Sequence, residues 1–97
     1  MTKTFLTRAY LRRLRNEIQF HKLFRQLGWP FKREGVQLKF VCPVCNESQT
    51  SINPATNLAR CFRCERNWNP IDFTMITTGC EFRQAIAQLE DLLPNDN

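Results

Sequence analysis

The sequence predicts an α+β domain in which a small antiparallel β-ribbon is flanked by N-terminal and C-terminal helices. Three observations predict it. Apolar residues recur at helical spacing before residue 28 and again after residue 69. Residues 36–68 instead alternate apolar with polar and carry turn clusters, the pattern of short strands. Inside that stretch stand two cysteine pairs, Cys42/Cys45 and Cys61/Cys64, each with two residues between its members. A chain of 97 residues has room for one domain, taken as residues 1–97. A domain of this size buries a modest share of its unfolded surface, so a cross-link through those cysteines helps it fold.

The basic helical segment, residues 1–28, holds a helical stretch from Thr4 to Leu27, either one helix or two with a break near Arg15–Asn16. Leu11, Leu14, Ile18, Leu23, Phe24 and Leu27 form its apolar stripe, and Arg8, Arg12, Arg13, Arg15, Lys22 and Arg25 lie between them. Asn16 suits the N-cap of a second helix starting at Glu17. Gly28 is a C-terminal stop, with Pro30 just beyond. The ribbon occupies residues 35–68. Alternation over Val36–Phe40 places Val36, Leu38 and Phe40 on a core face, and the turn cluster Asn53–Asn57 joins strands Thr50–Ile52 and Leu58–Phe62. Residues 69–94 read as two helices. Asn69 is the N-cap of the first, Pro70 takes its first position, Asp72 its third, and Gly79 ends it. Phe82, Ile86, Leu89 and Leu93 mark the second, closed by Pro94.

The cysteine spacing carries chemistry. Zinc takes four ligands in a tetrahedron, and a two-residue spacer lets one tight turn aim two sulfurs at one ion. Two such turns, separated by β-type sequence, make the middle of the chain a zinc ribbon of three or four strands, with Cys42, Cys45, Cys61 and Cys64 holding one structural Zn2+. Iron–sulfur clusters usually show other spacings, and a redox dithiol needs a single pair. Four thiolates leave no open coordination position, so the site is structural and not catalytic. The chain has five cysteines, an odd count that does not suit a secreted disulfide scaffold. Cysteine pairs of this kind suit a reducing cytosol, so a cytoplasmic location is expected. Neither a membrane span nor a secretory leader is visible. Cys80 reads as a partly buried apolar filler, and His21, the one histidine, as a surface or core-edge residue.

Charge is unevenly spread. Residues 1–41 carry +8, residues 42–69 carry +1 and residues 70–97 carry −4, within a total of +5. A basic front suggests nucleic acid at one end, and an acidic tail a solvated or protein-facing surface at the other. Single strands are held by a basic groove with aromatic faces for stacking. Lys39, Arg60, Arg63 and Arg66 are the candidate phosphate contacts. Trp68 is the stacking candidate, with packing between ribbon and helix as its other role. Phe62, which alternates with Cys61 beside Arg60, is assigned to the core ahead of a stacking platform, and Phe40 to the core.

Beyond the spacing, Cys42-Pro43-Val44-Cys45-Asn46-Glu47, then Ser51, then Cys61-Phe62-Arg63-Cys64, then Asn69-Pro70-Ile71-Asp72-Phe73 resembles the N-terminal zinc-binding domain of bacterial DnaG-type primases over about residues 16–93. The family reads Cys-Pro-x-His-x-Glu, Thr-Pro-Ser, Cys-Phe-x-Cys-Gly and Gly-Asp/Asn-x-Ile-x-Phe. Cys45 stands where the family has its histidine ligand, and a thiolate serves zinc at least as well. Glu65, Asn67 and Trp68 replace the family's glycines, and of the three Asn67 best suits a positive φ.

The resemblance implies a module that engages single-stranded template DNA in DNA replication and primer initiation. It would be a non-catalytic accessory to a separate primase or polymerase core, or to a helicase, and would have neither a small-molecule substrate nor a membrane partner. No pair of catalytic carboxylates is evident in the chain. It is either an excised domain or a stand-alone protein of the kind found in phage or mobile genetic elements. Two alternatives stand beside this reading. The first is a docking module of a replication complex, using the acidic last helix (Glu81, Glu90, Asp91) and the start Thr4–Tyr10. The second is the DNA-binding element of a transposase or transcription regulator, which predicts a duplex preference.

Overall fold

The computed structural model describes residues 6–94. Its elements run α1 (Arg8–Asn16), α2 (Phe20–Leu27), β1 (Phe31–Glu34), β2 (Gln37–Phe40), β3 (Thr50–Asn53), β4 (Leu58–Cys61), β5 (Arg66–Trp68), α3 (Pro70–Thr78) and α4 (Phe82–Glu90). The fold is α+β, as expected, but its strands form two antiparallel sheets: β1–β2, and β3–β4–β5.

The helical start is two helices. Thr7 caps α1 by accepting from the Tyr10 N–H at 3.1 Å; the expected start at Thr4 lies outside the described residues. Asn16 does not cap a second helix. It ends α1, and α2 begins at Phe20 after the N-cap Gln19. The physical reason is a tie from elsewhere in the chain. The Asn57 side-chain amide donates to the carbonyls of Arg15 and Ile18, both at 2.8 Å, and so satisfies backbone acceptors that the end of α1 leaves open. Ile18, in the break, is fully buried. Gly28 ends α2 at φ 65, and the Trp29 N–H reaches back to the Phe24 carbonyl at 2.8 Å.

Strand β1 is missing from the sequence reading. Phe31-Lys32-Arg33-Glu34 has three charges after one apolar residue and so no apolar–polar alternation to signal a strand. It pairs with β2 so that Phe31 faces Phe40 and Lys32 faces Lys39. The hairpin turn then falls at Gly35–Val36, with Gly35 at φ 62. Val36 is therefore not on the core face: at the turn it is 93% exposed, whereas Phe40 is buried as expected.

Thr50 joins the two sheets. Its hydroxyl accepts from the Phe40 N–H at 2.9 Å and donates to the Phe40 carbonyl at 2.7 Å, fully buried. In the second sheet Thr50 pairs with Cys61 and Ala59 with Trp68.

Helix α3 follows its capping signals. The Asn69 side chain accepts from the Asp72 N–H at 2.8 Å, Pro70 stands in the first turn, and Gly79 closes the helix at φ 72. Helix α4 ends at Glu90, so Leu93 and Pro94 lie beyond it. The core centres on Phe73 of α3. Its ring lies 5.3–6.2 Å from those of Phe20, Phe24, Trp29, Phe40 and Trp68. One helical residue thus gathers rings from α2, the following loop and both sheets.

That gathering corrects two aromatic assignments. Trp68 is 5% exposed and packs on Phe73 and Phe40, so it presents no face to a base. Phe62, assigned to the core, is 55% exposed. Register explains both. Ala59 and Cys61 point inward with Trp68 opposite Ala59, and the alternation of the strand turns Arg60 and Phe62 outward.

Candidate metal centre and the basic face beside it

The two cysteine turns close at the same end of the β3–β4–β5 sheet. Each is locally set. The Asn46 N–H bonds the Cys42 carbonyl at 3.0 Å, and the Cys42 N–H bonds the Glu47 carbonyl at 2.8 Å. The residue after each turn is left-handed, Asn46 at φ 65 and Glu65 at φ 57. Asn67, expected to take the positive φ, lies within β5. The extra backbone freedom is needed where the turn leaves the metal site, one residue past Cys64.

All four sulfurs lie within 4.8 Å of one another. Cys42 and Cys64 sulfurs are 3.7 Å apart, and those of Cys45 and Cys61 are 3.6 Å apart. Four thiolates at ~2.3 Å from a tetrahedral zinc stand about 3.8 Å apart, whereas a disulfide would require ~2.05 Å. The donor set fits zinc. Cys42 and Cys61 are fully buried and Cys45 and Cys64 half-buried, which walls the site on its core side. The first sulfur of each pair also accepts backbone N–H groups: Cys42 from Val44 and Cys45 at 3.3 and 3.4 Å, Cys61 from Cys64 at 3.4 Å. Such bonds favour thiolate. Without metal the thiols shift unequally. Against desolvation, hydrogen bonds from the Glu47 backbone and the neighbouring thiols bring Cys45 down to about 7, while two others rise. Burial pushes the Cys42 thiol up, and the Cys64 thiol is pushed up to about 12, first by its contact with Cys45 and then by desolvation. A divalent ion favours the thiolate form of all four. Cys80 and His21, both half-buried, lie outside the cluster, as expected.

The expected nucleic-acid contacts do not share one face. Arg60 is central to the outer face of the sheet, opposite Ser51 and Asn67. Its guanidinium lies over the Phe62 ring, 5.5 Å from the centroid. Arg63 is exposed inside the second cysteine turn, beside Phe62. Arg66 is exposed but opposes Cys61, so by register it belongs to the other side of the sheet. Lys39 is on the first sheet, half-buried, with its ammonium donating to the Thr50 carbonyl at 3.4 Å. Trp68 is in the core. Phe62, weighed between core and stacking platform, is the aromatic ring that the alternation about buried Ala59 and Cys61 leaves exposed beside Arg60.

These features define a closed four-cysteine zinc ribbon with one structural Zn2+, and within the described residues no helix is long and apolar enough to cross a membrane. Residues 6–95 match the CHC2 zinc finger family, the zinc-binding domain of DnaG-type primases, and the chain belongs to that family. No curated protein matches it. The domain is primase-related.

Proposed function

We propose that this domain binds single-stranded DNA during primer initiation, as a non-catalytic cytoplasmic accessory to a separate primase, polymerase or helicase component, with Cys42, Cys45, Cys61 and Cys64 as its four zinc ligands. The observation that carries the reading is the exposed Phe62 ring with the Arg60 guanidinium 5.5 Å away, at the zinc end of the sheet. An aromatic face accepts a base of any identity, and an adjacent guanidinium supplies charge for the phosphate. Arg63 extends the charge along the turn. Zinc holds that turn rigid, so the ring and its cations keep their spacing. Lys39 and Arg66, away from the Arg60–Phe62 face, add only to the positive field around it. Trp68 supports the platform from inside by fixing β5.

The test is fluorescence anisotropy with labelled single-stranded and duplex DNA at two salt concentrations. Zinc-loaded protein is expected to prefer the single strand and to lose affinity steeply with salt. Phe62→Ala should weaken binding by about 1–3 kcal/mol, the worth of one stacked base. Duplex preference, or full affinity in Phe62→Ala, sinks the reading.

A further inference from the structure

Beside the β1–β2 hairpin lies an open groove of about 320 Å³, at the small end of ligand-site volumes. Pro30, Phe31 and Val41 give it apolar walls, and Lys32, Lys39 and Ser48 give it polar ones. Lys32 and Lys39 are directly opposed across the strands. Like charges in that position destabilise a hairpin. The nearest acid, Glu34, pairs with Lys32 at 2.9 Å but is not among the lining residues. That pair is largely exposed and holds Lys32 weakly. The Lys39 ammonium gives one donor to the Thr50 carbonyl and keeps two others.

We propose that this groove is a phosphate site for a nucleotide, with the phosphate between the Lys32 and Lys39 ammonium groups and the Ser48 hydroxyl, and the sugar or base against Phe31 and Pro30. A phosphate carries enough charge to bridge both lysines, which turns an unfavourable pair into a favourable one. The apolar walls favour a nucleotide over inorganic phosphate. The ligand's being a nucleotide rests on the primer-initiation reading above; the phosphate chemistry does not. Two sources supply it: a free nucleoside triphosphate, or the terminal phosphate of a strand.

The experiment follows backbone amide resonances of the zinc-loaded protein during titration with ATP, tripolyphosphate and adenosine. In parallel, one oligonucleotide is titrated with a terminal phosphate and with a terminal hydroxyl. ATP and tripolyphosphate are expected to shift Lys32, Lys39 and Ser48, with ATP the tighter, and adenosine alone to bind far more weakly. Lys32→Ala should weaken ATP about fivefold and Lys32→Arg should retain it, as for loss of one phosphate contact. Tighter binding of the phosphorylated oligonucleotide identifies the strand end as the source, and equal binding of the two identifies the free nucleotide. Unmoved Lys32 and Lys39 signals, or a Lys32→Ala variant that binds ATP normally and only aggregates more, overturn the site and leave Lys32 as an edge-strand guard. Single-strand binding tested with hydroxyl ends and with Phe62→Ala stands or falls separately.

Discussion

Glu65 shows how one residue records the demands of the metal turn. Its φ of 57 is a left-handed conformation that costs a side-chain-bearing residue roughly 1–2 kcal/mol. The family pattern has glycine after the second cysteine pair, the residue that takes this conformation without penalty. Glu65→Gly is therefore expected to stabilise the zinc-loaded fold by about 1 kcal/mol, less what the freer unfolded chain takes back. Thermal unfolding measured side by side would show it, and an unchanged or lower midpoint would contradict the strain. Asn46, at the matching place after the first pair, is a residue type that tolerates the left-handed region, so the same change there should gain less.

At the scale of elements, the junctions decide more than the elements themselves. Helices α1 and α2 are separated by a corner held by Asn57, which sits in the β3–β4 turn at φ 53 and bonds two carbonyls of the corner. Asn57→Ala removes both bonds and the residue type suited to that φ, and should cost about 2–3 kcal/mol. Urea unfolding would read it, together with faster amide exchange around residues 15–20. A loss under 1 kcal/mol would mean that water replaces the amide without penalty. The boundaries of α3 were legible because its signals are local: a capping asparagine, a proline in the first turn and a terminal glycine. The corner was not, because its anchor lies about forty residues away in the chain. The same holds for β1, whose partner is defined by the hairpin and not by its own charged residues.

The whole molecule is closed by contacts between its ends and by its metal. The Tyr10 hydroxyl of α1 donates to a Glu90 carboxylate oxygen of α4 at 2.7 Å. Desolvation first, then that bond and the nearby carboxylate charge, raise its pKa from 10.0 to about 12. The folded form thus favours neutral tyrosine. Its contribution is fully present below pH 10 and is lost as pH rises through about 12. Tyr10→Phe should flatten the alkaline fall of stability over that window, and an identical pH profile in the variant would refute the link. Zinc acts on the other side of neutrality. Its ligands must be deprotonated, so acid releases the ion. Chelation at neutral pH is expected to unfold the ribbon and to shift emission of Trp68 and Trp29 to longer wavelength, with recovery on adding zinc back. Cys61→Ser should behave as the chelated protein does. A variant that keeps the native spectrum and its metal content would remove the structural role of the ion.

By itself the sequence determined the fold class, the metal and its four donors, and the caps of α3, because each depends on spacing or on neighbours within a few residues. It also narrowed the chain to its family through the residues around the cysteines. Tertiary structure alone decided which aromatic ring meets solvent. Trp68 and Phe62 are both large, both in the ribbon and both within two residues of an arginine in sequence. Trp68 opposes Ala59 on the inward face, against Phe73, while Phe62 follows Cys61 outward beside Arg60. Strand alternation gives two possible phases, and the burial of Cys61 at the metal site chooses between them.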